Sequence, residues 1–367
     1  MKGLYIHIPF CVKKCEYCDF VSFAGCESRF PEYIDVLINE MEEYRGAEIN
    51  TVFIGGGTPS LLIPELINRL CTEVKDNFKL APEYEWTIEA NPGTVTDLKI
   101  QTMLRGGINR VSLGVQSFND TELNAAGRIH DSKTAYETVI KLYKAGFENI
   151  SIDLMESLPY QTAESFKQTL ETAVSLPIKH ISVYSLIIEE GTPIKKKYDE
   201  GIYKMPDEDS DRALYHYTKR FLSEHGFNRY EISNYANPGY ESRHNLKYWD
   251  CDEYIGIGVA AASYIDGRRF SNTTSLGQYL SRSFRSGECE KLTSEDMMGE
   301  FMMLGLRKTS GVSAAEFERR FGKPMESIYG TQLERFTRIG AMEYTGGYYR
   351  LTDRGLDVAN AVMCEFM

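Results

Sequence analysis

The sequence predicts an α/β protein in which an incomplete (β/α)6 barrel of the TIM type precedes a small C-terminal domain. Two observations support this fold: short apolar runs alternate with amphipathic segments through the first half of the chain, and polar motifs follow nearly every run. Repeated strand–helix alternation predicts a parallel sheet with right-handed crossovers. An open doubly wound sheet also satisfies the alternation, but a barrel collects its strand ends at one mouth, and we therefore favour the incomplete barrel.

The strands are predicted from six runs that are rich in β-branched and aromatic residues and bounded by Gly, Pro or Asn. These runs lie at residues 4–8, 51–56, 86–90, 110–115, 149–155 and 180–188. Between them, apolar residues recur at helical spacing with charged residues opposite, which predicts amphipathic helices. The predicted helices span residues 30–44, 97–107, 134–147 and 162–176, and Gly146 is expected to be the C-cap of the third.

The chain changes character after residue 190. A charged connection at 189–211 leads into a helix predicted near 209–224. The Tyr- and Asn-rich stretch 230–249 is predicted to be a loop, and an apolar segment that carries glycines follows at 252–265.

From about Thr293 the sequence predicts helices and then a hairpin over 341–356 that turns at Gly346–Gly347, a pattern that resembles a winged helix. We expect a structural or docking role for this tail, because its acidic residues disfavour DNA binding. The chain is therefore divided into a barrel core at 1–237, a connecting segment at 238–290 and a winged-helix-like domain at 291–367.

Composition narrows the class of protein. Hydrophobic residues make up 42% and charged residues 26% of the chain, as in ordinary globular proteins, and no apolar run approaches the roughly 20 residues that a membrane span needs. The N-terminus has no secretory signal pattern, so we expect a cytoplasmic protein whose cysteines stay reduced. The formal net charge of −12 argues against a surface that binds nucleic acid.

Three of the eight cysteines are clustered as C-x3-C-x2-C, at Cys11, Cys15 and Cys18. A structural zinc site is normally closed by four protein ligands, and no nearby Cys or His supplies a fourth at a suitable spacing. In a [4Fe–4S] cluster each thiolate serves one iron, so three thiolates leave one iron open for another ligand. The remaining cysteines lack ligand spacing, and we expect ordinary buried or surface thiols at Cys26, Cys71, Cys251, Cys289 and Cys364.

The cysteine motif, with Tyr17 before its last cysteine, resembles the signature of radical S-adenosylmethionine enzymes. In that superfamily the open iron of a [4Fe–4S] cluster binds the amino and carboxylate groups of S-adenosylmethionine, and an electron donor reduces the cluster. The segments "GGGTPS", "EANPG", "GVQSF", "GRIH" and "DLM" also match. The resemblance implies a [4Fe–4S] cluster on the three cysteines and S-adenosylmethionine contacts from Tyr5, Tyr17, Gly56, Gly57, Thr58, Glu89, Gln116, Arg128 and Asp153.

Along nearly its whole length the chain is similar to the oxygen-independent coproporphyrinogen III oxidase family, on the strings "YIHIPFC", "FIGGGTPS", "EANPGT", "GVQSF" and "YIGIG". That family contains two functions. The oxidases remove two propionate carboxyl groups during haem synthesis, whereas the haem chaperone branch binds haem and passes it to an acceptor protein.

Three features favour the chaperone branch. Phe20 stands where the oxidase carries a further cysteine, the long N-terminal extension of the oxidase has no counterpart before Tyr5, and "HNLKYW" matches the H-N-x-x-Y-W motif of the chaperones. The motif implies that His244 ligates haem iron while Tyr248 and Trp249 pack against the porphyrin face.

Two positions depart from the family pattern. Ala262 replaces a usual histidine in "AAAS", which could remove a haem or substrate contact, and Ser157 replaces a usual glycine in "DLMESLP", which could shift the loop after the fifth strand. Two alternatives to the chaperone stay open. One is a radical enzyme that acts on a porphyrin or another small molecule, a class that includes the oxidase. The other is a scaffold whose C-terminal domain docks partners and whose cluster is only structural.

Overall fold

A computed structural model describes the backbone of residues 1–367 and every side chain except that of Glu288. The strands are β1 (Lys2–Ile8), β2 (Phe10–Cys11), β3 (Phe23–Ala24), β4 (Glu48–Gly56), β5 (Lys79–Ala90), β6 (Arg110–Gln116), β7 (Asn149–Glu156), β8 (His180–Ser185), β9 (Asn228–Arg229), β10 (Asn234–Ala236), β11 (Tyr254–Ile257), β12 (Ala262–Ile265), β13 (Arg268–Asn272), β14 (Arg285–Lys291), β15 (Val312–Ser313), β16 (Met342–Thr345) and β17 (Tyr348–Leu351). The α-helices are α1 (Phe30–Glu42), α2 (Pro64–Asn77), α3 (Asp97–Gly106), α4 (Asp120–Ala125), α5 (Ser132–Ala145), α6 (Ala163–Val174), α7 (Pro193–Asp199), α8 (Glu208–Glu224), α9 (Arg243–Trp249), α10 (Leu276–Leu280), α11 (Ser294–Gly305), α12 (Ala314–Phe321), α13 (Met325–Arg338), α14 (Asp353–Leu356) and α15 (Ala359–Met363).

Twelve strands form one open sheet, in the order β14-β13-β12-β11-β1-β4-β5-β6-β7-β8-β10-β9. The seven strands from β11 through β1 to β8 run parallel, and the strands outside this block pair antiparallel. The sheet does not close on itself within the described chain. All six predicted strands lie in the parallel block, and the predicted incomplete barrel is confirmed.

Alternation along the parallel strands separates an outer aliphatic set from an inner set of aromatic and polar residues, because successive residues of a strand point to opposite faces. In β1 and β4, the outward residues Leu4, Ile6 and Val52 are fully buried in the main hydrophobic core. The inward residues Tyr5 and Phe53 instead line the interior of the barrel. The same alternation in the later strands brings polar side chains to the inside, where they are available for binding.

Residues 243–249, predicted as part of a loop, form the helix α9. The carboxylate of Glu85 accepts hydrogen bonds from the backbone N–H groups of Arg243 and His244 at 3.1 and 3.0 Å, and Ser242 caps the same end. The first amides of a helix need such acceptors. Because Glu85 comes from β5, the local sequence pattern did not reveal the helix.

The other predicted elements agree closely with the structure. The predicted helices begin and end within two residues of α1, α3, α5, α6 and α8, and Gly146 is a left-handed C-cap at φ 111°. β16 and β17 form the expected hairpin, which turns at Gly346–Gly347. The C-terminal helices and this hairpin have their own hydrophobic core around Met302, Phe317 and Leu333. No helix in the described part of the chain combines the length and the apolar character required to cross a membrane.

The buried carboxyl group of Glu40 joins α1 to the antiparallel part of the sheet. It accepts hydrogen bonds from the Tyr279 hydroxyl at 2.6 Å, the Asn272 amide at 2.6 Å and the Gly258 backbone N–H at 2.9 Å, and the Arg285 guanidinium lies 3.4 Å away. Burial raises the pKa of Glu40, against the effect of these donors. Because Gly258 directly follows β11, the partner of β1, this network supports the strand that leads into the cysteine motif.

Replacing this carboxyl group is expected to destabilise the fold. Glu40→Ala should lower the free energy of unfolding by about 3–5 kcal/mol, because three buried donors and a guanidinium lose their acceptor. Urea denaturation measures the change. The control is Glu43→Ala, which removes the more exposed carboxylate at 3.1 Å from Arg285 and should cost less than about 1 kcal/mol. Equal urea midpoints for the two variants would contradict this role for Glu40.

Candidate functional site

The carboxyl ends of the parallel strands surround a cavity of about 610 Å³. Its walls come from the inward residues of β1 and β4 to β8, the loop after β2, and α9. The cavity brings together all but one of the predicted site residues, namely Tyr5, Cys11, Cys15, Tyr17, Cys18, Gly56, Gly57, Thr58, Glu89, Gln116, Arg128, Asp153, His244 and Tyr248.

The three cysteines lie on the loop around β2, at the carboxyl ends of the parallel strands. The Arg128 guanidinium donates from Nη1 to the Cys15 Sγ at 3.2 Å, and the Thr58 hydroxyl donates to the Cys11 Sγ at 3.6 Å. Hydrogen bonds to sulfur stabilise thiolates that bind iron. Three clustered thiols beside an open cavity, two of them with such donors, fit a [4Fe–4S] cluster. In the described part of the chain, no three His, Cys, Asp or Glu side chains are grouped as ligands of a single metal ion.

The glycines at the end of β4 let its backbone touch β1 and β2. Gly56 has a φ of 109°, and a Cβ there would lie 2.5 Å from the His7 ring. A Cβ on Gly57 would lie 2.6 Å from the Phe10 carbonyl oxygen. Only glycine permits this approach. It brings the Thr58 N–H to 2.7 Å from the same carbonyl and thereby places Thr58 beside the cysteine loop.

Two carboxyl groups that are partly exposed to the cavity, Glu89 on β5 and Asp153 on β7, line its wall. The Glu89 Oε2 accepts from the Gly56 N–H at 3.1 Å, and the Ser112 hydroxyl donates to Asp153 at 3.3 Å. Burial, followed by the neighbouring Asp153, raises the pKa of Glu89 to about 8. Burial also raises the pKa of Asp153. Carboxyl groups shifted in this way are typical of binding sites, and they can bond the hydroxyl and ammonium groups of a ligand.

Arg128 reaches back from the segment after α4 to β6. Its Nη2 donates to the Gly114 carbonyl at 2.6 Å, while its Nε is buried without a partner among the described atoms. Burial lowers the pKa of Arg128, but Tyr17 and Cys15 raise it by more. A fixed guanidinium with an unused N–H suits the carboxylate of a ligand. Gln116, with a φ of 69°, lines the cavity nearby.

His244 lies at the amino-terminal end of the barrel strands, on the cavity floor. Its Nδ1 is 2.9 Å from the Thr51 hydroxyl, its Nε2 is 2.9 Å from the Tyr248 hydroxyl, and its ring lies against Phe53. The side chain is only 1% exposed, and burial, followed by the charge of Lys247, lowers its pKa to about 3. His244 is therefore a neutral imidazole with both ring nitrogens in hydrogen bonds.

Trp249 is the one predicted site residue that the structure does not bring to the cavity. Its ring packs under the Arg307 guanidinium at 4.3 Å and lines a separate cavity of about 420 Å³ against the C-terminal core. Helix geometry explains the separation: His244 and Tyr248 are four residues apart on one face of α9, whereas the next residue points about 100° away. The predicted contact of Trp249 with a porphyrin beside His244 is inconsistent with this position.

The structure shows the surroundings of Ser157 and Ala262, the two positions that depart from the family pattern. Ser157 has a φ of 63°, a conformation that favours glycine, and it is held there by its hydroxyl, which donates to Asp211 at 3.0 Å, and by its carbonyl, which accepts from the Tyr203 hydroxyl. The loop after β7 thus keeps a glycine-like backbone. Ala262 lies on β12 and is not among the described residues that line the cavity.

Sequence reasoning missed Arg110, which is 2% exposed and lines the cavity from β6. Its Nη1 lies 3.4 Å from the Thr87 hydroxyl, and its charge acts on the carboxyl groups of Glu89 and Asp153. The sequence could have indicated this residue, because Arg110 is a charged residue at the start of a largely apolar strand. Charged side chains are rarely buried without a partner, so its position suggested a polar site.

The fold and the cavity define the class of this protein as radical SAM. The radical SAM superfamily model matches residues 5–173, and the HemN C-terminal domain model matches residues 292–358. Among solved structures, the coproporphyrinogen III oxidase HemN of Escherichia coli, titled a radical SAM enzyme, aligns over 99% of this chain and 89% of its own with a TM-score of 0.85. Its identity of 22% makes this a likeness of fold alone.

Curated proteins identify the family within that class. The heme chaperone HemW of Lactococcus lactis subsp. lactis strain IL1403 is 38% identical over 99% of this chain and 96% of its own length. HemW of Bacillus subtilis strain 168 is 35% identical over 100% and 99%, and HemW of Escherichia coli K12 is 34% identical over 100% and 98%. The chain belongs to the heme chaperone HemW family.

The raised pKa of Glu89 predicts a stability that depends on pH. Between about pH 4.5 and pH 8 the unfolded chain ionises this carboxyl group while the folded chain keeps it protonated, so the free energy of unfolding falls as the pH rises through this window. Glu89→Gln imitates the protonated group and should remove this loss. The stability gap between variant and wild type should therefore widen up to about pH 8 and then level off.

Guanidinium denaturation of the chain without cofactors, at a series of pH values, measures the gap. Glu65→Gln, on the exposed side of α2, is the control and should follow the wild type at every pH. A gap for Glu89→Gln that stays constant with pH would show that the carboxyl group titrates normally.

Proposed function

We propose that this chain is a haem chaperone that binds haem and passes it to an acceptor protein. The observation that carries the proposal is its identity of 34–38% to three heme chaperones along essentially the whole of both chains. A shared fold alone does not imply a shared function. Here the correspondence extends over the barrel, α9 and the C-terminal core together, which supports a common activity.

We also propose a [4Fe–4S] cluster and S-adenosylmethionine as resident cofactors. Cys11, Cys15 and Cys18 would hold the cluster, and together the two groups supply one-electron chemistry when bound. Arg128 would fix the loop through its bonds to Cys15 and the β6 backbone and offer its unused Nε–H to the cofactor carboxylate. The remaining contacts proposed for S-adenosylmethionine come from Tyr5, Tyr17, Gly56, Gly57, Thr58, Glu89, Gln116 and Asp153.

The chaperone is favoured over a porphyrin-modifying oxidase by the residue that follows the cysteine motif. Phe20 stands where the resemblance implies a further cysteine in the oxidase, and its ring is 64% exposed at the mouth of the cavity. A phenyl ring supplies no thiol chemistry. It does supply an apolar contact surface for a ligand that is carried unchanged.

Haem ligation by His244 stays a prediction. To bind iron, the imidazole must first lose one of two hydrogen bonds: the bond between its Nε2 and the Tyr248 hydroxyl, or the bond between its Nδ1 and the Thr51 hydroxyl. Each exchange leaves a buried hydroxyl without its partner, at a cost of about 1–3 kcal/mol. An iron–nitrogen bond would have to offset that cost.

We propose a cytoplasmic protein whose partners are haem, an acceptor protein and an electron donor for the cluster. All eight cysteines are free thiols, which suits a reducing compartment. The proposed oxygen-sensitive cluster and its thiol ligands would also need a reducing compartment.

The haem function is tested directly with the reconstituted protein. Under anaerobic conditions, the full chain should shift the Soret band of added haem and saturate at one haem per chain. Reduced protein supplied with S-adenosylmethionine and coproporphyrinogen should give no decarboxylated product by chromatography with mass detection. Decarboxylation would favour the oxidase, and an unchanged Soret band would remove the basis for a haem chaperone.

The role of Arg128 is tested by Arg128→Met, which keeps the volume of the side chain but removes both of its hydrogen bonds. We expect the iron and sulfide content after reconstitution to fall to about a tenth, since two charge-assisted bonds at the loop are lost. Arg69→Met, which removes an exposed ion pair with Asp35, is the control and should reconstitute fully. Equal iron content in both variants would contradict the proposed clamp.

A further inference from the structure

The mouth of the cavity is bordered by apolar side chains that are exposed to solvent. Val12, Phe20, Ile129 and Ile187, which we call the mouth rim, have exposed fractions of 49%, 64%, 41% and 68%. They come from three separate segments: the cysteine loop, the segment after α4 and the segment after β8. Several exposed apolar side chains at one opening are typical of a surface that binds something.

Buried neighbours hold two of these residues outward. Ile129 lies between the clamped Arg128 and His130, whose Nε2 is 3.1 Å from the Val115 carbonyl oxygen. Ile187 lies between Leu186 and Ile188, which pack into a small apolar cluster under the loop. Both exposed side chains therefore extend from backbone that is anchored on either side.

Phe20 is held in the same way. It lies two residues after Cys18 on the cysteine loop. The next residue, Val21, packs against the main core, and its carbonyl accepts from the His7 Nε2 at 3.0 Å. The backbone that carries the phenyl ring is therefore anchored at the mouth of the cavity. A rim whose backbone is anchored before binding loses less conformational entropy when it is covered, which favours affinity.

Two cations stand beside the rim. Lys13 and Lys14 directly follow Val12, both are exposed and line the cavity, and neither lies within ion-pair distance of a carboxylate among the described side chains. Two acids, Asp19 and Glu189, share the opening. The paired lysines on one segment give the mouth a cationic side next to its apolar one.

We propose that the mouth rim is the docking surface for haem, with the porphyrin face on Phe20, Ile129 and Ile187 and the two propionates directed to Lys13 and Lys14. This inference rests on the proposed haem-chaperone function and adds where the cargo is held. Haem is a flat apolar macrocycle with two carboxylates on one edge, which matches an apolar rim with two unpaired cations at one side. Cargo at the mouth leaves the inner polar residues to the resident cofactor.

The test is a Soret titration of the anaerobically reconstituted full chain with S-adenosylmethionine present, using haem and haem dimethyl ester as probes. Phe20→Ser and Ile187→Ser should each raise the Kd for haem about tenfold, because each removes a large apolar contact. The double variant Lys13→Glu, Lys14→Glu should weaken haem binding by about tenfold or more, since two ion pairs become repulsions. It should leave the affinity for the ester unchanged, because the ester has no carboxylates.

Leu98→Ser is the matched control, because Leu98 is an apolar residue 61% exposed on α3 and outside the cavity. It should keep the wild-type Kd. Ile187→Ser lies outside the cysteine loop, so it tests the rim even if Phe20→Ser reduces cluster content. Circular dichroism and iron analysis establish that each variant is folded and loaded.

The possible outcomes distinguish a failure of the proposed haem site from a failure of the proposed chaperone function. Wild-type affinity in every rim and lysine variant, with haem binding lost in His244→Ala, would overturn the rim as the haem site and leave the chaperone function intact. Rim variants that bind haem normally but fail to deliver it would also overturn the proposal, because they would assign the rim to the acceptor protein. A wild-type chain that produces no Soret change would overturn the proposal and the function together.

Discussion

The close contact between the Gly56–Gly57 backbone and the end of β1 is the constraint on which the mouth of the barrel depends. Any side chain at either position would collide with the His7 ring or with the backbone of Phe10. The contact fixes β4 against the strand that carries the cysteine motif, and it aims Thr58 at Cys11. The remaining walls are then positioned by the hydrogen-bonded register of β5 to β8.

The inner part of the barrel carries several titratable side chains, and burial shifts the pKa values of His244, Glu89 and Asp153. Burial lowers the pKa of His244, so its hydrogen-bonded imidazole is neutral. Burial also raises the pKa of Glu89 to about 8. Charged groups in a poorly solvated space are costly unless they are paired. The retained cations are Arg110 and Arg128, which lie beside carboxyl groups and cysteine sulfur. The arrangement suits a ligand that brings its own charges and hydroxyl groups.

The sequence predicted those features that depend on local periodicity or on a compact motif. Six of the seven parallel strands were recognisable because residues such as Leu4 and Val52 recur in short β-branched runs, and the cysteine spacing identified the loop. The helix α9 was missed because its first amides are capped by Glu85, more than a hundred residues away. Trp249 was assigned to the haem site because it follows Tyr248 in the motif. A sequence motif shows which residues are adjacent along the chain, but it does not show which face of a helix each side chain lies on. Arg110 was overlooked for a related reason, since its partners lie on neighbouring strands.

Helix α9 contacts both the barrel and the C-terminal domain. One face closes the barrel through Tyr248, while Trp249 stacks on Arg307 and Asp250 pairs with Lys308 at the start of the C-terminal core. The helix has seven residues and a length of about 10 Å, so it is too short to bend appreciably. It therefore acts as a rigid rod between the two bodies. A displacement of the C-terminal core would be carried by α9 to the hydrogen bonds that Glu85 and Thr51 make with His244.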